Sequence, residues 1–145
     1  MTIRMRDADA IATLVYGYAE RVDAGDLDGV AALFAHATYR SDRGGAYTGA
    51  AEVAAVLQRL VLLYDGVPRT RHVTSNLTIA VDGAAATARS YFTVLQATAE
   101  LPLQPIVAGR YHDRFERADG VWRFADRLVL MDLVGDLRRH LRHAV

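Results

Sequence analysis

An α+β fold, with three N-terminal helices packed on one face of a curved antiparallel or mixed sheet, is predicted by three observations. Apolar residues recur at helical spacing as far as Tyr64, the period switches to two from Arg69 onward, and Asp-Gly pairs punctuate the second half where tight turns belong. The chain has 145 residues, enough to bury a core without disulfides or metals, so one domain is expected.

Asp7 is placed to cap the first helix, whose Ile11, Leu14, Val15, Tyr18 and Val22 share a face until Gly25 stops it. Asp26 then caps a short second helix through Leu27, Val30, Ala31 and Phe34, ending before His36. Short extended pieces around Thr38 to Arg40 and Ala46 to Thr48 flank the polar loop Ser41 to Gly45. A third helix carries Val53, Val56, Leu57, Leu60 and Tyr64 on one side. Glu52 can close a capping arrangement near Thr48 and Gly49, and Asp65-Gly66 and Pro68 end the helix. Four long strands in hairpin order are predicted over Arg69 to Val81, Ala84 to Ala97, Pro105 to Arg117 and Val121 to Met131. Asp136 to His143 reads as a short exposed helix or a frayed tail.

Composition removes several chemistries. All seventeen basic residues are arginine and there is no cysteine, so no lysine Schiff base, Walker A lysine, thiolate nucleophile or zinc–thiolate site can form. Seventeen acidic residues balance them and charge is scattered, which leaves no footprint for phosphate backbones or anionic lipid. Nucleic acid and membrane are not expected partners. No apolar stretch of signal-peptide length opens the chain, and a cytoplasmic location is expected.

A sheet wrapped around a long helix leaves a cone, and its open end is a natural small-molecule cavity. At roughly 100° per residue, Ile11, Val15, Tyr18 and Val22 centre the apolar face of the first helix, while Asp23 lies at its edge with Ala12, Tyr16 and Ala19. Asp23 can therefore reach the cavity or solvate the turn that follows. His72 begins the first long strand, where alternation groups it with Thr74, Asn76 and Thr78 against Val73, Leu77 and Ile79; surface histidine and site residue both fit that pattern. His36, His112, His140 and His143 read as structural or surface residues, and the charged alternation around Asp113 as a half-solvated sheet face. Trp122, Phe124, Tyr91, Phe92 and Tyr111 read as core, although a phenol near the mouth of the cone could donate a hydrogen bond.

Three patches together resemble one family. They are Tyr18-Ala-Glu-Arg-Val-Asp23-Ala-Gly-Asp26 running into Leu33-Phe34, Arg71-His72-Val-Thr-Ser-Asn76-Leu77, and Gly109-Arg-Tyr111-His-Asp113-Arg-Phe115 leading into Asp119-Gly-Val-Trp122-Arg-Phe124. Their order and spacing resemble the SnoaL-like branch of the nuclear transport factor two superfold, whose members include polyketide cyclases, scytalone dehydratase, bile-acid dehydratases and hexachlorocyclohexane dehydrochlorinase. The resemblance implies a single cone-shaped α+β barrel domain over residues 1–145. In the dehydratase and dehydrochlorinase members an aspartate late in the first helix and a histidine opening the first long strand form the catalytic pair, positions matched here by Asp23 and His72. Tyr18 matches a tyrosine that assists the leaving oxygen. Two departures stand out: scytalone dehydratase has a second pocket histidine on the next strand, where Ala84 to Glu100 offers Gln96 instead, and the carboxylate base of the ketosteroid isomerases has only Asp113 and Asp126 as imperfect candidates.

The resulting expectation is a lyase working without metal or cofactor on a small, largely apolar, ring-containing molecule. Asp23, His72 and Tyr18 would be catalytic, and Tyr16, Asn76, Tyr91, Gln96, Arg110 and Tyr111 would contact substrate. Cyclisation or double-bond isomerisation in the same pocket, and a non-catalytic binding or assembly module, are the alternatives. The apolar alternation of Ala84 to Ala97 and Val121 to Met131 leads us to expect a homodimer or higher homo-oligomer through the sheet.

Overall fold

The computed structural model describes residues 5–143. Helix α1 spans Asp7–Asp23, α2 Leu27–Ala32 and α3 Gly49–Leu60; strands β1 (Thr38–Ser41) and β2 (Ala46–Thr48) lie between α2 and α3, and β3 (Thr70–Asp82), β4 (Ala85–Gln96), β5 (Gln104–Ala118) and β6 (Val121–Val134) follow. The strands form one sheet ordered β2-β1-β6-β5-β4-β3. The β1–β6 pairing is parallel and the others are antiparallel. The sheet is thus mixed, as anticipated, and curves without closing, with β2 and β3 as its edges.

α1 forms because its apolar residues repeat at helical spacing and find a partner for that face: Ile11, Val15, Tyr18 and Val22 are all buried. Its start departs from expectation. Arg6, not Asp7, occupies the N-cap position, and the Asp7 carboxylate instead accepts from the Trp122 indole at 3.0 Å, fastening the helix to β6. Asp26 caps α2 as predicted, accepting from the Gly29 amide at 2.9 Å, and Glu52 accepts from the Thr48 amide at 2.7 Å at the start of α3.

The turn after α1 needs glycine twice over. Gly25 has φ of +76°, and a Cβ there would collide with the Gly66 carbonyl. This close approach presses the end of α1 against the turn that leads into β3, which sets Asp23 beside the first residues of that strand.

Two segments differ from the sequence reading. α3 stops at Leu60 because the next residues pair outward with the chain's end: Val61 bridges Leu141, the Leu62 amide donates to the His140 carbonyl at 2.9 Å, and the Arg142 amide donates to the Leu60 carbonyl at 2.8 Å. For the same reason the expected exposed tail, Asp136 to His143, is a packed turn. His140 is buried within it.

Bulges bend the sheet and re-aim its side chains. In β3 the register with β4 slips between Ser75 and Thr78, and Asn76 adopts a left-handed φ of +54°. The extra residue reverses the strand's phase, so His72 and Thr74 face inward before it and Leu77 and Ile79 face inward after it. A second slip between Arg114 and Phe115 inserts Ala125 opposite no partner, and both Phe124 and Arg127 turn into the core. Among the described residues no helix is long and apolar enough to cross a membrane.

Candidate active site

Asp23 ends α1 with its carboxylate aimed at the start of β3. Oδ1 accepts from the Thr70 hydroxyl at 2.9 Å and lies 2.6 Å from His72 Nδ1, while Oδ2 accepts the His72 backbone amide at 2.8 Å. Both oxygens are thereby committed, and the carboxylate has one orientation. Burial pushes the Asp23 carboxyl up, but the hydrogen bonds and charge of His72, with the Thr70 hydroxyl, outweigh it and hold the group below its ordinary value. The side chains of His72 and Asp23 are only 8% and 12% exposed. With Nδ1 taken by Asp23, Nε2 has no hydrogen-bond partner among the described residues.

His72 lines a cavity of about 180 Å³ between α1, α3 and the sheet. Its walls are mostly apolar, including Val22, Leu57, Val61, Val94, Val107 and Met131. Besides His72, polar side chains line it from Tyr18 on α1, Tyr39 and Ser41 on β1, Arg43 in the loop that follows, Tyr47 on β2, Tyr111 on β5 and His140 in the C-terminal turn. The hydroxyls of Tyr18 and Tyr39 lie 3.0 Å apart. Burial raises the phenols of Tyr39 and Tyr111 well above their ordinary value, so each keeps a hydroxyl proton that it can donate.

Beneath this aromatic wall lies a charge. Arg127 is fully buried and bidentate to Asp113, with contacts of 2.8 and 2.9 Å. Its guanidinium carbon sits 3.7 Å from the Tyr111 ring centre and 4.3 Å from that of Tyr18. The cation gains from the faces of both rings and locks their planes. Although burial opposes its charge, the Asp113 carboxylate keeps Arg127 more firmly protonated than usual.

Asp23, His72, Tyr18 and Tyr111 of the sequence-predicted residues come together here, and five do not. Tyr16 is 46% exposed on the outer side of α1, and Tyr91 is 52% exposed on the outer face of β4. Arg110 is half-buried and bidentate to Asp132, and Asn76 is exposed at the β3 bulge. Gln96 is buried but structural: its amide donates to the carbonyls of Pro68 at 3.1 Å and Arg139 at 2.9 Å. Asp113 and Asp126 are likewise committed, to Arg127 and Arg40. His36, His112 and His143 are exposed, as read from the sequence, but His140 reaches the cavity.

Sequence reasoning missed Tyr39, His140 and the Arg127–Asp113 pair. Asp113 shares strand parity with Tyr111 and Phe115, which was a usable signal for its inward direction. Tyr39 sits on a strand too short to show a period, and nothing near His140 marks it as buried.

Residues 4–128 match the family described as the SnoaL-like domain. The chain belongs to this family. No curated protein matches the chain. Among solved structures, a variant of Rv3472 from Mycobacterium tuberculosis, a protein of unknown function, is 31% identical with a TM-score of 0.71, the match covering 86% of this chain and 71% of that one. A nuclear transport factor two-like protein with a cystatin-like fold from Novosphingobium aromaticivorans is 21% identical (TM-score 0.74, 86% of this chain and 81% of that one). A protein provisionally named scytalone dehydratase from the same organism is 24% identical (TM-score 0.72, 90% and 87%). The last two share the fold with this SnoaL-like protein. His140 lies beyond the stretch that the family match covers.

Proposed function

We propose that this SnoaL-like protein is a lyase that eliminates water or an acid from a small, largely apolar, ring-containing substrate, with His72 as the general base. The observation that carries this reading is the 2.6 Å contact of His72 Nδ1 with Asp23 at the wall of a mostly apolar cavity. A carboxylate accepting from Nδ1–H selects the tautomer with a bare Nε2, raises its basicity, and stabilises the imidazolium formed when it takes a proton.

In the proposed step the C–H bond next to an activating group breaks and its proton moves to Nε2. The electron pair becomes the new double bond as the leaving group departs with its own pair. Tyr39 donating to Tyr18 frees the Tyr18 hydroxyl to donate to the departing oxygen. Positioned proton transfer of this kind supplies roughly two to four powers of ten in rate. The solved structure provisionally named scytalone dehydratase agrees with the reading at the level of fold.

The test is a screen of small cyclic alcohols and halides against the wild-type protein, with products resolved by mass. Elimination removes the mass of water or of the acid. Products of unchanged mass would instead mark isomerisation or cyclisation by the same base. Full turnover in folded His72→Ala and Asp23→Asn variants would refute the assignment.

A further inference from the structure

His140 is the one imidazole lining the cavity besides His72 among the described residues, and its surroundings differ in kind. It is 7% exposed, and no carboxylate bonds it. Its ring centre lies 5.9 Å from that of His72, at an interplanar angle of 65°. Its Nδ1 is buried with no hydrogen-bond partner. Since Nδ1 is sealed in the packing while the ring lines the cavity, Nε2 is the atom through which this imidazole can meet a bound molecule.

The tautomer follows from the cost of stranding a donor. A neutral imidazole must carry its one proton on Nδ1 or on Nε2, and buried N–H groups without acceptors are rarer than buried acceptors without donors. The proton therefore belongs on Nε2, where a ligand or water in the cavity can accept it. Burial and the nearby His72 lower the His140 pKa to about 4, so the ring is neutral through the physiological range and keeps this donor. The two histidines then face the cavity with opposite character. His72 offers a bare nitrogen, and His140 offers an N–H.

The C-terminal turn is fastened firmly enough to hold that donor in place. The Leu62 amide donates to the His140 carbonyl at 2.9 Å, and the Arg139 carbonyl accepts from the Tyr64 hydroxyl at 2.7 Å and from the Gln96 amide at 2.9 Å. The segment after α3 and the end of β4 thus clamp two consecutive residues through three hydrogen bonds.

We propose that His140 donates its Nε2–H to the carbonyl oxygen of the substrate while His72 removes a proton from the adjacent carbon, so that the substrates are small cyclic carbonyl compounds. This rests on the reading of His72 as the base. The C–H electron pair becomes the carbon–carbon double bond of an enolate, the carbonyl π pair moves onto oxygen, and the His140 N–H meets the charge that develops there. A neutral imidazole suits this role because it polarises the carbonyl without surrendering a full proton. Spacing agrees as well: an α-carbon and its carbonyl oxygen are about 2.4 Å apart by covalent geometry, and a contact of roughly 3 Å from each to its histidine lets one small ligand bridge both rings.

The experiment uses cyclohexanone as probe, with three readouts on the full chain. Nitrogen NMR of the wild type should find the His140 proton on Nε2 and see its resonance shift on adding cyclohexanone. Infrared spectroscopy should find the bound carbonyl stretch lowered in the wild type and in His72→Ala, and restored in His140→Phe. Deuterium exchange at the α-carbon should vanish in His72→Ala and fall about a hundredfold in His140→Phe. A proton on Nδ1, a wild-type protein that does not bind the ketone, or a carbonyl stretch indifferent to His140→Phe would each overturn the proposal. The tautomer measurement stands even if His140→Phe does not fold. Exchange that persists in His72→Ala, with the carbonyl shift still dependent on His140, would sink the base assignment and leave the His140 role intact.

Discussion

Asp23 spends both carboxylate oxygens on the first residues of β3, so its removal alters more than a charge. In Asp23→Asn the amide cannot accept from the Thr70 hydroxyl, the His72 amide and the His72 ring as the carboxylate does, and the imidazole loses its tautomer control. We expect turnover to drop by about two to four powers of ten while the circular-dichroism spectrum stays native. Arg127 presents the opposite case, a residue whose loss should be felt in stability. Arg127→Met strands the Asp113 carboxylate in the core and should cost about 3–5 kcal/mol in urea denaturation. Pairing it with Asp113→Leu should recover much of that loss, because two apolar groups leave no charge buried; a double variant no more stable than the single one would count against this account.

Within β3, one extra residue decides which side chains are inside. Because side chains alternate along a strand, deleting Asn76 would restore the regular register and force a choice: either His72 and Thr74 or Leu77 and Ile79 must leave the interior. Expelling the two partly buried aliphatic chains costs up to about 3 kcal/mol, so the stable outcome is expected to turn His72 outward. The deletion variant should therefore fold and lack activity, or show that loss in its denaturation midpoint. Wild-type stability together with wild-type turnover would refute the re-aiming role of the bulge.

Across the entire molecule, acid sensitivity should appear in two steps. His140 has a folded pKa of about 4 against an ordinary 6.5, so the unfolded chain takes the proton more readily. A histidine depressed in this way contributes its stability in full above pH 6.5, and that contribution is lost as pH falls toward 4. The ceiling is about 3 kcal/mol, a large share of the roughly 5–15 kcal/mol typical of a domain. Asp23, whose carboxyl is also depressed, acts in a lower window: its contribution holds above its unfolded value of 3.8 and disappears as pH drops through its lower folded value. Thermal melts of wild type and His140→Gln between pH 7 and 4 should converge as the pH falls, since glutamine does not titrate; parallel curves would contradict the assignment to His140.

Most helix and strand positions were legible because they are local properties. A period of 3.6 or 2 and a glycine after a helix act within a few residues, and the predicted elements from Asp7 to Met131 recur with ends shifted by a few positions. Asp23 and His72 were legible only through resemblance, since periodicity left each at a boundary between surface and cavity. Tertiary structure decided the rest. Whether His72 points inward depends on a bulge defined by pairing with β4, and Arg127 enters the core through a slip against β5. His140 reaches the cavity because its backbone pairs with residues some eighty positions earlier, at Leu60 to Leu62. These placements come from contacts between segments distant in the chain, and no local pattern of apolar and polar residues encodes them.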